Sequence, residues 1–354
     1  MKILIANPFG IGDVLFTTPL IDSIKKALPD SKIAYLCNRR VVPLFEQDPR
    51  IYKIFVYEKD ELRSLWQQSK NICVKEIRHL LSDVKEEAFD YVYDFSLAGE
   101  FAFFFWLAGI KKRIGYDYKK RAKFLNKKIP LNSFSDKHVV EYYLDLLKFL
   151  NIEPKQKAIK VFISEDEKAQ AAALLKRKNF LPADKAIAVI PGAGASWGKQ
   201  SYRKHYRADR FAAICDALIT EKSAKVIILG DKKEKQIVDE VANKMKNPPA
   251  IATTGFSLRE FMAVLSQCKL LLCNDGGPLH IAVGLDIPTV SIFGPVDENI
   301  YGPYPKSKKH KVVTADVDCR PCYKNFKVPD CENISCLVEL KEEKVLAACT
   351  EQLK

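Results

Sequence analysis

The sequence lacks the features that mark membrane-embedded, secreted and repetitive proteins. Its longest apolar run, residues 101–110, is about half as long as a membrane-spanning helix needs to be. The apolar run at residues 3–6 is interrupted by Asn7 and Pro8, so it predicts a buried strand and not a secretory signal peptide. Neither an internal repeat nor a low-complexity tract is present. We therefore expect a globular chain without a membrane span or a leader.

The composition is that of a globular protein with excess positive charge. The chain has 354 residues, 47% hydrophobic and 29% charged, a length that suits two domains better than one. Its 57 Lys and Arg against 44 Asp and Glu give a formal net charge of +13. Such a balance favours nucleic acid, a phosphorylated metabolite or an acidic membrane surface as partner. Nucleic acid is the weakest of the three, because no helix-turn-helix, RRM or OB-fold signature is present.

Short apolar runs alternate with longer amphipathic runs in two blocks. The first block predicts strands at 3–6, 32–37, 51–57 and 91–94, with helices such as 14–27, 74–84 and 137–150. The second predicts strands at 186–190, 225–229, 270–273 and 289–293, with helices at 208–220, 232–246, 257–267 and 278–285. This alternation predicts an α/β fold with two Rossmann-like, doubly wound parallel sheets.

The two blocks predict two domains, residues 1–160 and 161–354. A helix at 165–178 and the loop at 179–183 form the natural joint, and a final helix at 341–353 could pack on either domain. Ligands of open α/β sheets bind outside the carboxyl ends of the strands. We therefore expect a central cleft that both domains face, lined by the loops that follow the strands.

The loop after the first strand contains Gly10, Gly12 and Asp13. The glycines permit a tight turn and a close approach of ligand, but Leu15 stands where a dinucleotide fingerprint needs its third glycine. Asp13 is either the N-cap of the next helix or a general base aimed into the cleft, and the two roles are compatible.

The loop that opens the second block, residues 191–199, is rich in small residues and is followed by lysines. Backbone N–H groups with a nearby ammonium suit phosphate, and Lys199 and Lys204 are the candidates. The loop is not a Walker A sequence. Surface lysines are usually only solvated, which is the alternative for each.

A later loop of the second block follows an apolar strand and opens a helix. It contains Asp275, Gly276, Gly277 and His280. Free N–H groups at the helix start could hold a diphosphate, to which His280 could donate. Asp275 would repel phosphate and suits a sugar hydroxyl; a capping Asp and a packed His are the alternatives. Gly294, after the next strand, belongs either to an ordinary turn or to a further wall of the cleft.

Three patterns along the chain match those of one known family. The pattern G-x-G-D-x-x-x-x-x-P spans residues 10–19, and P-G-A at 191–193 is followed at 204–211 by a variant of K-x-W-P-x-x-x-F. The most specific pattern, N-D-[ST]-G-P-x-H-x-A followed by P-x-x-x-[LI]-F-G-P, matches 274–282 and 288–295. On these residues the sequence resembles the lipopolysaccharide heptosyltransferase family, glycosyltransferase family 9, over almost its whole length.

The resemblance implies a GT-B fold whose N-terminal domain binds the acceptor and whose C-terminal domain binds a nucleotide sugar. It implies an inverting reaction without metal or cofactor, with Asp13 as catalytic base. On the acceptor side it implies roles for Gly10, Gly12 and Arg113. For the donor it implies Lys204, Glu234, Asp275, Gly276, Gly277 and His280, with Lys199 and Gly294 as secondary candidates.

The sequence departs from the family patterns at three places. Gly276 stands where Ser or Thr is usual, and Tyr206-Arg207 replaces the common Trp-Pro. Extra residues precede Lys204, which makes Lys199 a rival for the phosphate role. These departures bear on the donor sugar more than on the reaction class.

The resemblance implies transfer of a sugar, with heptose from ADP-heptose as the family's usual donor, to a lipopolysaccharide core or a related anionic glycolipid. The expected location is the cytoplasmic face of the inner membrane, as a peripheral protein that does not bind nucleic acid. The alternatives are a catalytically idle nucleotide-sugar or lipid-binding module and a GT-B sugar-nucleotide epimerase.

A strongly basic segment follows the aromatic run at 101–106. Residues 111–128 contain nine Lys or Arg and one acid, Asp117. A greasy helix beside a basic stretch suits an anionic membrane surface or acceptor. The alternatives are a solvated charged face and a helix buried in the core.

Four of the ten cysteines cluster near the C-terminus, at Cys319, Cys322, Cys331 and Cys336. They are either reduced thiols or a structural Cys₄ zinc site, and the resemblance supplies no role for them.

Overall fold

The structure is a computed structural model. It describes residues 1–154, 157–181, 183–194 and 197–354. Pro182 of the predicted joint, and Ala195 and Ser196 of the predicted loop at 191–199, therefore lie outside the described residues. The chain divides into two compact units, Met1–Ala158 and Ile159–Lys354.

The first unit is built on a six-stranded parallel sheet. Its strands are β1 (Lys2–Ala6), β2 (Lys32–Cys37), β3 (Ile51–Val56), β4 (Tyr91–Asp94), β5 (Lys112–Tyr118) and β6 (Lys127–Leu131). They lie in the order β3-β2-β1-β4-β5-β6, and all neighbours pair in parallel. The sequence pattern predicts the first four strands only. Lysine and arginine interrupt the apolar alternation of β5 and β6, as is common toward a sheet edge.

The described residues of the first unit form six α-helices, five of them between its strands. They are α1 (Ile11–Leu15), α2 (Thr18–Ala27), α3 (Lys59–Gln68), α4 (Lys70–Glu86), α5 (Gly99–Leu107) and α6 (Val139–Asp145). The helix predicted at 14–27 is divided, because α1 ends at Leu15 and α2 begins at Thr18. Between them the Thr17 hydroxyl donates to the Val14 carbonyl oxygen at 2.6 Å. The helix predicted at 137–150 becomes α6 and a 3₁₀ helix over Leu146–Leu150.

The second unit is built on another six-stranded parallel sheet. Its strands are β7 (Lys185–Ile190), β8 (Ala224–Leu229), β9 (Ile251–Thr253), β10 (Leu270–Asn274), β11 (Thr289–Ile292) and β12 (His310–Val313). They lie in the order β12-β11-β10-β7-β8-β9 and pair in parallel. The two strands that the sequence pattern misses, β9 and β12, are the short edges.

The described residues of the second unit form eight α-helices. They are α7 (Glu165–Arg177), α8 (Ala208–Lys222), α9 (Lys235–Lys244), α10 (Leu258–Leu265), α11 (Gly277–Gly284), α12 (Glu298–Tyr301), α13 (Ser335–Val338) and α14 (Glu342–Gln352). The helix predicted at 232–246 begins with a 3₁₀ turn over Lys232–Glu234. The final helix, α14, packs against α8, β11 and β12, with Val345 and Cys349 fully buried in the core of this unit. Within the described ranges, no helix is long and apolar enough to span a membrane.

Both sheets reverse their winding next to their first strand. In the first unit the chain moves outward from β1 through β2 and β3, then returns to β4 on the other side of β1. In the second unit β7 and β10 are the corresponding neighbours. The predicted α/β fold with two doubly wound parallel sheets is confirmed. Ligands of such sheets bind where the winding reverses, outside the carboxyl ends of the strands.

Candidate active site

Asn274 ties together the loops where β7 and β10 end. It is the last residue of β10 and its side chain is buried. Its amide nitrogen donates to the Pro191 carbonyl oxygen at 2.7 Å, and its amide oxygen accepts the N–H of Tyr206 at 3.2 Å. Three separate chain segments therefore meet at the winding reversal of the second sheet, and their backbones are fixed relative to one another.

A buried ion pair lies at the same place. Lys204 Nζ is 2.6 Å from Asp275 Oδ2, and each side chain is only 7% exposed. The lysine ends a 3₁₀ helix over Gly198–Lys204, and its ammonium also lies 5.2 Å from the centre of the Trp197 ring. Lys199, in the same 3₁₀ helix, is exposed. Removing two charges from water costs several kcal/mol per ion, so a buried pair at a loop cluster suggests a functional reason.

Gly276 is required by a close approach of two backbones. A Cβ placed there would lie 2.8 Å from the Ala193 carbonyl oxygen, closer than real Cβ contacts allow. Its φ of 170° is ordinary extended backbone, so the reason is space and not conformation. The departure from the family's Ser or Thr therefore has a steric basis in this chain.

The helix after Gly276 presents its N-terminus at the loop cluster. Gly276 is the N-cap of α11, which contradicts the alternative that Asp275 caps the helix. Gly277 and Pro278 begin the first turn, and His280 is 3% exposed within it. The first N–H groups of a helix have no partner inside it and favour an anion.

Glu234 fastens the loop after β8 to the loop after β7. Its Oε1 accepts the N–H of Gly194 and its Oε2 accepts the N–H of Asp231, each at 2.9 Å. A Cβ on Gly192 would collide with the same carboxylate. Glu234 therefore lies at the loop cluster, where its carboxylate accepts two backbone N–H groups. Its predicted contact with the nucleoside stays a prediction.

His205 is a candidate that the sequence patterns do not reveal. Its Nε2 is buried and has no hydrogen-bond partner among the described residues. Burial lowers the pKa of this imidazole, the nearby Glu234 charge raises it and the Lys204 charge lowers it. The only sequence signal is its position directly after Lys204.

Gly294 has a packing role. A Cβ there would lie 3.0 Å from the Leu337 side chain, and the Gly294 carbonyl oxygen accepts a hydrogen bond from Arg320 Nε at 3.2 Å. The structure does not connect it to the Lys204–Asp275 pair, and its predicted donor role stays a prediction.

In the first unit, Asp13 lies in the turn after β1. The N-cap of α1 is Gly10 and Asp13 is the third helical residue, so the N-cap alternative for Asp13 is wrong. Asp13 is half-buried, and its backbone carbonyl oxygen accepts a hydrogen bond from the Asn7 amide at 3.0 Å. A Cβ on Gly10 would be 3.9 Å from both Asp13 Oδ2 and Arg40 Nη2, an ordinary van der Waals distance, so Gly10 lies next to the carboxylate without crowding it. Gly12 lies within α1 beside it.

Asp94, at the end of the neighbouring strand β4, also escapes the sequence patterns. It is 3% exposed, and its Oδ1 accepts the N–H of Ser96 at 2.9 Å. Burial raises its pKa to about 7, helped by the charge of Glu100 and opposed by the Ser96 hydrogen bonds. A polar residue that ends an apolar strand beside β1 is the signal that identifies it.

Arg113 is used to hold backbone. Its guanidinium donates to the carbonyl oxygens of Phe124, at 2.6 Å, and of Ile110. Burial lowers its pKa. These contacts fix the segment between β5 and β6, and the predicted role of Arg113 toward the acceptor stays a prediction.

The four clustered cysteines are thiols, as are the other six. Burial, and after it the neighbouring thiols with Cys322 first, raise the pKa of Cys336 to about 11. Within the described ranges, which include all four, no group of three or more His, Cys, Asp or Glu side chains could hold a metal ion. The zinc alternative for the four cysteines stays a prediction.

Comparisons with known proteins agree with these patterns. The model of glycosyltransferase family 9 (heptosyltransferase) matches residues 77–331. Lipopolysaccharide heptosyltransferase 3 of Escherichia coli is 25% identical over 300 residues, covering 83% of each chain.

Two solved structures are similar over nearly the full length. The family 9 glycosyl transferase of Veillonella parvula has a TM-score of 0.83 at 22% identity, covering 99% of this chain and 97% of its own. The ADP-heptose lps heptosyltransferase II of E. coli has a TM-score of 0.78 at 20% identity, covering 100% and 98%. These likenesses show the GT-B class of fold. Because the family model spans well over half of the sequence, the chain belongs to glycosyltransferase family 9, the heptosyltransferase family, and is a glycosyltransferase.

Proposed function

We propose that the protein is an inverting, metal-independent transferase that moves heptose from ADP-heptose to a lipopolysaccharide core or a related anionic glycolipid. The observation that carries this proposal is the buried Lys204–Asp275 pair beside the start of α11, at the winding reversal of the second sheet. The name of a similar E. coli protein supports the donor, since that protein is an ADP-heptose transferase.

The donor end of the reaction needs positive charge where the diphosphate leaves. Lys204 supplies a buried ammonium, and the N–H groups at Gly276 and Gly277 supply helix-end donors. Asp275 holds the ammonium in place and offers a carboxylate to a sugar hydroxyl. His280, in the first turn, is the further donor to phosphate. Charge stabilisation of this kind replaces the divalent ion that other glycosyl transfers use.

The acceptor end needs a base. Asp13 takes the proton of the acceptor hydroxyl while the oxygen attacks the anomeric carbon opposite the departing diphosphate, which inverts that carbon. Gly10 places no side chain beside the carboxylate, where a Cβ would already lie 3.9 Å from Asp13 Oδ2. Asp13 then carries the proton, and the nucleoside diphosphate carries the negative charge.

The acceptor places the reaction at a membrane. A related E. coli protein is named a lipopolysaccharide heptosyltransferase, and lipopolysaccharide precursors are lipid-anchored and anionic. We propose peripheral contact with the cytoplasmic face of the inner membrane, consistent with ten cysteines that are all thiols. The net charge of +13 favours such a surface.

A thermal-shift panel tests the donor assignment. The protein is melted with ADP, ADP-heptose, UDP and UDP-sugars in a metal-free buffer, and a ligand of the folded state raises the melting temperature. We expect stabilisation by ADP and ADP-heptose that Lys204→Ala removes and Lys199→Ala keeps. A protein that responds to no nucleotide would overturn the proposal.

A transfer assay with Asp13→Asn separates catalysis from binding. We expect the variant to keep its stabilisation by ADP-heptose and to lose transfer to a lipopolysaccharide-core acceptor. Full transfer by the variant would remove Asp13 from the base role. Donor binding by the wild type without transfer would favour the idle binding module, and conversion of the nucleotide sugar without acceptor would favour an epimerase.

A further inference from the structure

Helix α5 has two apolar faces, of which only one is buried. Phe101, Ala102 and Phe105 pack into the core of the first unit. Phe103, Trp106 and Leu107 are 41%, 48% and 44% exposed. Their spacing of three and four residues places them on one side of the helix. The core therefore explains half of the aromatic run at 101–106, and the other half needs another explanation.

The segment between β5 and β6 extends this exposed face. The Phe124 ring lies 4.9 Å from Phe103 and 5.5 Å from Trp106, while Phe103 and Trp106 stack at 5.8 Å, all between ring centres. Ala122 and Leu125 anchor the segment against α5. Phe103, Trp106, Leu107 and Phe124 together form what we call the aromatic patch.

Positive charge surrounds the aromatic patch along the chain. The exposed basic residues of β5, of the edge strand β6 and of the segments before and between them are Lys111, Lys112, Lys119, Lys120, Arg121, Lys123, Lys127 and Lys128. The single acid of this segment, Asp117, is already paired with Lys128 at 2.8 Å. The charge of the remaining lysines and arginine is thus uncompensated within the segment.

The charge selects the occupant of this surface. Single exposed apolar side chains are normal on proteins, but three rings in mutual contact form a patch that favours a partner. A second copy of this chain would bring two sets of like charges together, which opposes association. A bilayer rich in anionic phospholipid offers a negative surface and an interfacial zone where Trp and Phe are favoured.

We propose that the aromatic patch and its basic border dock the protein on an anionic phospholipid bilayer. The rings enter the interfacial zone while the lysines and Arg121 lie over the headgroups. Arg113 serves this surface indirectly, because its guanidinium fixes the Phe124 carbonyl and so the loop that carries the ring. The inference rests on the proposed action at a membrane. Its test measures lipid binding and not sugar transfer, so the docking proposal and the proposed function can fail separately.

Co-sedimentation of the full-length protein with vesicles tests the docking. One set of vesicles is phosphatidylcholine alone and the other contains one third phosphatidylglycerol. We expect binding to the anionic vesicles only, with loss at high salt. Phe103→Ala/Trp106→Ala and, separately, Lys120→Gln/Arg121→Gln/Lys123→Gln each weaken it by more than about tenfold.

Trp66→Ala is the matched control for the aromatic variants. Trp66, on α3, is 50% exposed, close to the 48% of Trp106. It lies outside the aromatic patch, and the Lys70 ammonium is 5.6 Å from the centre of its ring. We expect this variant to bind as the wild type does. Unchanged melting temperatures and nucleotide responses show that each variant is folded.

Three outcomes would overturn the docking proposal. They are equal binding to both kinds of vesicle, unchanged binding by Phe103→Ala/Trp106→Ala, and equal loss in Trp66→Ala. Dimerisation that the aromatic double variant abolishes, without vesicle binding by the wild type, would assign the surface to a second copy instead.

Discussion

At the winding reversal of the second sheet, cross-linked loops hold a buried lysine–aspartate pair, whereas the equivalent point of the first sheet holds two carboxylates, Asp13 and Asp94. Asn274 and Glu234 tie the second set of loops through their backbones. In the first unit a Cβ on Gly10 would meet its nearest atoms only at 3.9 Å, and in the described part of the chain no Lys or Arg forms an ion pair with Asp94.

The contrast shows how one topology can present different charges at the same point. Both sheets direct loops to the same place, but the residues that end the strands decide the charge there. A fixed ammonium and helix-end donors suit a diphosphate. A carboxylate suits proton transfer from a hydroxyl. Substitutions at matched positions of the two units can break or sharpen this contrast.

The largest expected effect follows from removing the buried cation. Lys204→Met leaves Asp275 buried without its partner, which should lower the free energy of unfolding by about 3–5 kcal/mol. Adding Asp275→Asn should recover part of that loss. Chemical denaturation measures both, and Lys199→Met, at an exposed lysine, should stay within about 0.5 kcal/mol of the wild type. Equal effects at the two lysines would contradict the buried pair.

The buried carboxyl of the first unit should show itself in the pH dependence of stability. Because burial raises the pKa of Asp94 to about 7, the folded protein binds this proton more tightly than the unfolded chain, and stability falls as pH rises toward 7. Asp94→Asn should therefore gain on the order of 2–4 kcal/mol at about pH 8 and little near pH 4.

Thermal melts of the Asp94→Asn protein across this pH range provide the measurement. The variant keeps an acceptor for the Ser96 N–H, so the comparison isolates the charge. Asp30→Asn, at an exposed aspartate, is the control and should show no such trend. A gain that does not depend on pH would argue against a titrating Asp94.

Two glycines compare the space in the two units directly. Gly276→Ser forces a Cβ to within 2.8 Å of the Ala193 carbonyl oxygen, so we expect a loss of about 2 kcal/mol and weaker nucleotide binding. Gly10→Ser, whose nearest atoms lie at 3.9 Å, should change stability by less than about 0.5 kcal/mol. Denaturant titration gives both values. A larger loss for Gly10→Ser than for Gly276→Ser would contradict the close backbone approach at Gly276.

The smallest expected effect concerns Glu234, whose carboxylate holds the loops after β7 and β8 together. Glu234→Gln keeps one acceptor oxygen but loses the charge-assisted bond to Gly194 or Asp231, which should cost about 1 kcal/mol. ADP binding by calorimetry should weaken in parallel, because the loop after β7 is less firmly held. Glu332→Gln, at an exposed glutamate, is the control. If Glu234→Gln keeps both its stability and its affinity for ADP, the two backbone hydrogen bonds do not matter for holding the loop.

The sequence predicts the buried centre of the fold better than its edges. Strands near the middle of each sheet are covered on both faces and read as continuous apolar runs, as in β1 and β10. The strands β5, β6, β9 and β12 lie at or beside sheet edges, where charged residues and short length hide the pattern. The break between α1 and α2 has a signal in the sequence, Pro19 in the first turn of α2, which the apolar periodicity alone does not reveal.

The candidate site divides in the same way. The family patterns identify Lys204, Asp275 and Gly276, because they are local in sequence. The family patterns do not include His205 or Asp94. The buried, unpartnered Nε2 of His205 is visible only in the fold, and for Asp94 the sequence shows a polar strand end but not the burial that raises its pKa. The choice between Lys204 and Lys199 likewise needed the fold, which buries the first and exposes the second.

The sequence by itself determined the α/β alternation, the family and the loops that carry charge, since these follow from local periodicity and short patterns. Only the tertiary structure decided which lysine meets Asp275, why Gly276 has no side chain, and which half of the aromatic run stays exposed on α5. The physical reason is that burial and close approach depend on residues far apart along the chain, whose distances exist only once the sheets have formed.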